Sequence, residues 1–305
     1  MTALQSMRKN RYVYILILPA IIYLALFAYR PMYGIILAFK KFNFAKGITG
    51  SPWIGLKNFQ FAFGLPGFWA SFWNTLIIAF LRMLFAFPFP VILAIQINEV
   101  LRSGSKRFFQ TVYTFPHFLS WIIISGILLN LFGDSGVVNM LITGMGGKKV
   151  QFLTNKDTFR AFIILTDMWK ESGWGTIIYL AAIAGIDQEL YEAAELDGVG
   201  RFQRMWHITF KSILPTVSIM LILQLGSIMQ SGGGGFDQIF NLYNPAVYDT
   251  GDIIDTYIYR STFSGAITYG VSTAIGLFKS VLNCLFLFGG NALVRWISHG
   301  ERGIF

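Results

Sequence analysis

Asp167, Lys170 and Glu171 lie within an otherwise apolar stretch, with Trp174 four residues beyond Lys170. On a helix, positions three and four apart share a face. Asp167 can therefore pair with Lys170, and the four side chains form a polar patch beside an aromatic ring. Such a patch suits a sugar, whose hydroxyls take hydrogen bonds while its C–H face stacks on the indole. Charges inside a membrane span cost roughly 2.5–3.5 kcal/mol each on insertion scales, so as a rule they face a cavity. The residues alone leave a second reading open, in which these groups sit at the outer membrane interface and meet water or headgroups. Arg82 and Lys279 are two further charges in apolar stretches. They read equally as ion-pair partners or as subunit-interface residues.

No other grouping points to bond-making chemistry, so no catalytic residue is assigned. His117, His207 and His299 are far apart and lack metal-ligand spacing, and Cys284 is the single cysteine. Neither a metal site nor an intrachain disulfide follows. Gly232–Gly235 is no phosphate loop, because no Lys-Ser/Thr follows it; it reads as a turn after a span. A net charge of +9 does not imply nucleic acid, since the basic residues are scattered rather than gathered in a patch.

The elements that hold these residues are membrane helices. Of the 305 residues, 54% are hydrophobic and 13% charged, against about 25% charged in soluble domains. The first apolar stretch, Tyr12 to about Phe39, is too long for a signal peptide. Five more follow, near Phe72–Ile97, Phe109–Phe132, Phe159–Ala184, Ser212–Gln230 and Tyr269–Trp296, each close to the ~20 residues that cross a hydrocarbon core. Six spans put both termini on one side. Basic residues in segments 1–11, 99–107 and 185–211, with 297–305 as the fourth, place that side in the cytoplasm. The expectation is an all-α membrane protein with a single domain, 1–305.

The loop between the fourth and fifth spans, about 186–209, carries the most information. Asp187 is placed to cap a helix, acidic residues fill its first turns, and Gly198 can end it in a left-handed turn. Arg201 to Ile208 can form a second short helix, giving a helix–turn–helix with small alanines on one face. Here the chain resembles the permease subunits of ABC importers. Their loop signature is Glu-Ala-Ala, three residues, Gly, nine residues and Ile-x-Leu-Pro. Glu192-Ala193-Ala194, Gly198 and Ile208 match it, while Phe210-Lys211 replace Leu-Pro and Leu214-Pro215 follows. The resemblance is closest to maltose-type sugar permeases, in particular a subgroup for complex and uronate-containing oligosaccharides. Leu18-Pro19, the run Trp53 to Phe59, Trp73-Asn74-Thr75, the run Phe236 to Pro245 and the run Asp252 to Tyr257 carry it.

The resemblance implies the type I importer permease fold and a role in a bacterial plasma membrane. It implies an ATPase-docking loop with Tyr191, Glu192, Ala193, Ala194, Asp197 and Gly198. It also implies a sugar pathway lined by spans three to five, at positions matching His117, Trp121, Asp167, Lys170, Glu171, Trp174, Ser227 and Gln230. Lys170 and His117 would suit an acidic sugar. The partners implied are a second homologous permease, a dimeric cytoplasmic ATPase that binds ATP and magnesium, and an extracytoplasmic sugar-binding protein or lipoprotein. The chain itself takes no cofactor. The competing class is a secondary transporter or channel, against which no inverted repeat or matched pair of broken helices is seen.

Overall fold

The computed structural model describes residues 11–298. Positions 1–10 and 299–305, which hold Arg8, Lys9, His299 and the chain ends assigned above to the cytoplasm, lie outside the described residues. In chain order the principal helices are α1 (Arg11–Phe39), α2 (Phe68–Asn98), α3 (Ser103–Thr114), α4 (Trp121–Phe132), α5 (Lys156–Ala184), α6 (Gln188–Leu196), α7 (Arg201–Gly226), α8 (Ser231–Leu242), α9 (Ile254–Phe263) and α10 (Tyr269–Ile297). Among the described residues no strand forms beyond an isolated bridge between Lys40 and Trp53.

By length and composition α1, α2, α7, α10 and the stretch Trp121–Gly144 suffice to cross a membrane. Helix α5 has the same 29 residues as α10, but Asp167, Lys170 and Glu171 sit near its middle. Two expected spans are drawn differently. The third, Phe109–Phe132, is not one helix. After Thr114 the segment Phe115–Phe118 narrows to a 3₁₀ turn around Pro116, and Leu119 and Ser120 are extended. Ser120 then caps α4, its Oγ accepting from Ile123 N–H at 3.4 Å. The fifth begins far earlier than Ser212, because the short helix expected at Arg201 runs straight on to Gly226. Gly232–Gly235 belong to α8 rather than to a turn.

Proline explains the wide turns inside these spans. Its ring removes a donor and crowds the carbonyl four residues back. Before Pro31 the segment Ala25–Tyr29 is π-helical, and Arg30 N–H reaches Ala25 O. Before Pro88 the segment Arg82–Ala86 does the same, with Phe87 N–H donating to Arg82 O at 3.0 Å. In α7 a third π segment, Met205–Phe210, precedes Pro215. Each keeps the backbone bonded where lipid offers no partner.

The chain forms two compact units. One takes 11–65 and Ser261–Phe278. In it, Asn58 Nδ2 donates to the carbonyls of Ala38 and Lys40 at 2.9 and 3.0 Å, and Phe39 stacks on Trp53 at 5.5 Å. The run from Trp53 to Phe59 thus closes the end of α1. The other unit takes Pro66–Arg260 and the chain from Lys279. Its larger core joins Ile78 of α2 and Ile124 of α4 to Phe159 and Ile163 of α5 and Ile239 of α8. A second core joins Val91 and Ala94 of α2 to Tyr179 and Ile183 of α5 and Ile213 of α7. Helix α5 is therefore the post on which this unit is built.

Candidate functional site

Two regions of the larger unit gather the residues singled out above. The first is the loop after α5. Asp187 caps α6, its Oδ1 accepting from Glu189 N–H at 3.0 Å. The helix ends in a Schellman motif: Gly198 N–H donates to Glu195 O at 3.0 Å and Val199 N–H to Ala194 O at 2.9 Å. Gly198 takes φ +70°, a conformation open to glycine and costly for other residues. Tyr191 Oη lies 2.8 Å from Thr209 Oγ1 on α7, and Thr209 is fully buried. The two alanines do not share an exposed face, because Ala194 packs inward. What faces outward is Glu192, Ala193 and Asp197, with Leu196 at 90% and Phe202 at 85% exposure. Two apolar side chains left in water beside a capped helix make an approach surface.

The second region is the polar cluster on α5. The break at Pro116 turns His117 toward α5, and Gly173 lets the backbones meet. A Cβ at Gly173 would stand 2.0 Å from Tyr113 O. His117 Nδ1 lies 2.6 Å from Glu171 Oε2 and its ring stacks on Trp174 at 4.5 Å, 5° from parallel. Lys170 Nζ donates to Glu171 Oε1 at 2.7 Å and to His117 O at 3.0 Å, and lies 5.3 Å from the Trp121 ring centre. Five of the eight positions on the expected pathway, His117, Trp121, Lys170, Glu171 and Trp174, thus touch one another.

The expected Asp167–Lys170 pair is replaced. Lys170 turns to Glu171, and Asp167 Oδ2 instead meets Arg82 Nε at 3.7 Å. Arg82 also donates through Nη2 to Gln238 Oε1 on α8. Gln238 Nε2 in turn donates to Ile163 O at 2.6 Å and Thr166 Oγ1 at 2.8 Å. Arg82, left open above, is thus an ion-pair partner. Lys279 is another, paired with Asp255 of α9. Pairing and hydrogen bonding offset part of the cost of taking such charges out of water.

A cavity of about 380 Å³ opens beside this cluster, lined among others by Arg82, Asp167, Glu171, Trp174, Gln224 and Ser227. Asp167, Glu171, Trp174 and Ser227 line it, whereas His117, Trp121, Lys170 and Gln230 do not. Sequence reasoning missed Arg82 and Gln224 as lining residues. An arginine in an apolar stretch was itself a signal for the first; nothing marked the second. The wall offers carboxylate acceptors, a hydroxyl, an amide and an indole face half exposed at 48%. That set can bind hydroxyl groups and a C–H face. Among the described residues no group could hold a metal ion.

A third network joins the runs that carried the resemblance. Asn74 Nδ2 donates to the carbonyls of Asp249 and Asp252 at 3.0 and 3.1 Å, and Ile254 N–H to Thr75 Oγ1 at 2.9 Å. Asp252 is buried. Thr256 Oγ1 donates to it at 2.7 Å, Ser71 Oγ at 3.4 Å, and Arg260 pairs with it. Burial nevertheless holds the Asp252 carboxyl above its usual range, the bonds from Thr256 and Arg260 only partly offsetting it.

Comparison with known proteins agrees over nearly the whole chain. The profile of the family described as binding-protein-dependent transport system inner membrane component matches residues 86–299. Protein LplB of Bacillus subtilis (strain 168) is 42% identical, covering 98% of this chain and 93% of its own length. The polygalacturonan/rhamnogalacturonan transport system permease protein YteP of the same organism is 41% identical, covering 97% and 91%. A chain of a bacterial alginate ABC transporter, crystallised in complex with an alginate pentasaccharide-bound periplasmic protein, is similar at a TM-score of 0.88 with 36% identity, covering 99% of both chains.

Proposed function

The chain belongs to the family of binding-protein-dependent transport system inner membrane components, as a bacterial carbohydrate permease of the ABC type, and from that premise we propose that it forms half of an oligosaccharide pathway driven through α6 by a separate cytoplasmic ATPase. Six spans, α5 included, put both chain ends in the cytoplasm, and 1–305 works as one permease domain. A second, homologous permease completes the pathway. A dimeric ATPase binds ATP and magnesium, so this chain needs no cofactor. An extracytoplasmic binding protein delivers the sugar, as the periplasmic protein of the alginate transporter carries its pentasaccharide.

The observation that carries the coupling is α6 itself. It is capped at both ends, held to α7 through Tyr191 and Thr209, and presents Glu192, Ala193 and Leu196 outward beside Phe202 of α7. A capped helix at the junction of two spans, its outer face acidic with an exposed Leu196, is built to transmit a push. The substrate proposed is a uronate-containing oligosaccharide, in keeping with the polygalacturonan and rhamnogalacturonan carried by YteP and the acidic polysaccharide alginate carried by the solved transporter. With Lys170 and Arg82 paired, this half of the pathway addresses hydroxyl groups and sugar faces.

Glu192→Lys tests the coupling. It puts a cation on the docking face and leaves the caps untouched. The ATPase should no longer co-purify, and uptake of galacturonan and alginate oligosaccharides should fall to background. Undiminished co-purification and uptake would remove α6 from the docking role. Uptake that persists without any ATPase, driven by an ion gradient, would replace the whole scheme with a secondary transporter.

A further inference from the structure

We propose that Glu99 and Arg201 clamp α2 to the docking helix, so that a displacement of α6 moves two walls of the cavity together. The inference rests on the docking role of α6 given above. Helix α6 is joined by short links to α5 on one side and to α7 on the other: Gly185 to Asp187, and Asp197 to Gly200. Helix α2 has no such link, yet it supplies Arg82, Ala86, Phe87 and Pro90 to the cavity. Its far end meets the start of α7 through a two-point polar contact. Arg201 Nε donates to Glu99 Oε2 at 2.7 Å and Arg201 Nη2 to Glu99 O at 2.6 Å.

Each residue sits where it has leverage. Glu99 is the C-cap of α2, and its carbonyl is one of the groups a helix end leaves unbonded. Arg201 is the first residue of α7, directly after the Schellman turn. Arg204, one turn on, reaches back to Glu195 of α6 at 3.3 Å. The loop is thus bonded to α6 on one side and to the end of α2 on the other. A half-exposed ion pair adds little stability. Its value is directional: two donors of one guanidinium on two acceptors of one residue fix both distance and angle. Apolar packing of Val91 and Ala94 against Ile213 gives the α2–α7 contact its bulk, but apolar surfaces slide, and the clamp sets the register.

The test is made in the purified assembly with ATPase and partner permease. Spin labels are placed at the exposed Gln96 of α2 and Gln188 of α6, each changed to Cys, with Cys284→Ser. Distances are read nucleotide-free and trapped with ATP and vanadate. The native distance should be the same in both states. Glu99→Arg or Arg201→Glu should shift it in the trapped state by about 2 Å or more, the scale of helix shifts in switching transitions. The double reversal should restore it. Each reversal leaves its own helix end with a charge its dipole favours or tolerates, so the fold is kept. Like distances in all variants, or a native distance that changes on trapping, overturn the clamp while ATPase in the native preparation leaves the docking role standing. A native preparation without ATPase removes the docking role, and the clamp with it.

Discussion

Gly173→Ala adds one methyl group where α5 passes the broken third span. The new Cβ would lie 2.0 Å from Tyr113 O and 2.2 Å from Tyr113 C. Both are backbone atoms, so no side chain can swing aside. Ordinary contact begins near 3.4 Å, which requires a displacement of 3.4 − 2.0 = 1.4 Å. The segment that must move carries His117, four residues beyond Tyr113. Carried along the same line, that shift takes the 2.6 Å contact between His117 and Glu171 to 2.6 + 1.4 = 4.0 Å, past hydrogen-bond reach. Overpacking of this kind costs about 1–3 kcal/mol. At roughly 2–4 °C per kcal/mol for a large domain, the melting temperature in detergent should fall by several degrees. Uptake should fall as well, because Trp174 loses the ring stacked behind it. Gly126→Ala is the control, since nothing lies within 4 Å of a Cβ there and alanine favours a helix. Equal melting temperatures and equal uptake for Gly173→Ala and the native chain would refute the close approach, and with it the placement of His117.

Three further outcomes are expected. Trp174→Ala should lower uptake without releasing the ATPase; unchanged uptake kinetics would take the indole out of the pathway. Arg82→Met leaves Asp167 buried and without its strongest partner, and removing one member of a buried pair costs about 3–5 kcal/mol. Folded protein should therefore be scarce, and Asp167→Asn in the same chain should recover part of it; recovery by the second change is the sign to look for, and its absence argues that Arg82 acts through Gln238 alone. Asp252 has a folded-state pKa above its unfolded one, so the folded protein holds the extra proton. Its contribution to stability therefore grows as pH falls through the window between the two values and is lost as pH rises through the folded one. Asp252→Asn should flatten the profile of melting temperature against pH just above the usual carboxylate range, and an identical slope in both proteins would contradict the assignment.

That the chain is built of long apolar helices was legible because lipid demands them, and length and composition report those directly. Asp187 and Gly198 were legible for a local reason: a cap and a left-handed turn are set by a few neighbouring residues. The break at Leu119 and Ser120 was not, since an apolar run hides a 3₁₀ turn whose purpose is tertiary, to bring His117 onto α5. The Asp167–Lys170 pair failed for the same cause. Spacing along a helix ranks partners on that helix, and the partner that won, Arg82, comes from another. Asn74, Thr75 and Asp252 were noticed only as marks of resemblance. Their contacts, 175 to 179 positions apart in the chain, tie two distant runs together, which no local reading of either run reveals.

Helix α7 has 26 residues without a break, a contour of about 39 Å at 1.5 Å per residue. Arg201 stands at one end, and Gln224 and Ser227 stand at the other, on the cavity wall. A body of that length works as a lever. A tilt of about 5° about its Arg201 end sweeps the far end through about 3 Å, on the order of a water diameter. A displacement of that size at Ser227 needs no helix to unwind and no side chain to flip. The stroke at any residue is set by how far along the lever it lies, so each turn added beyond Pro215 lengthens the stroke at Ser227.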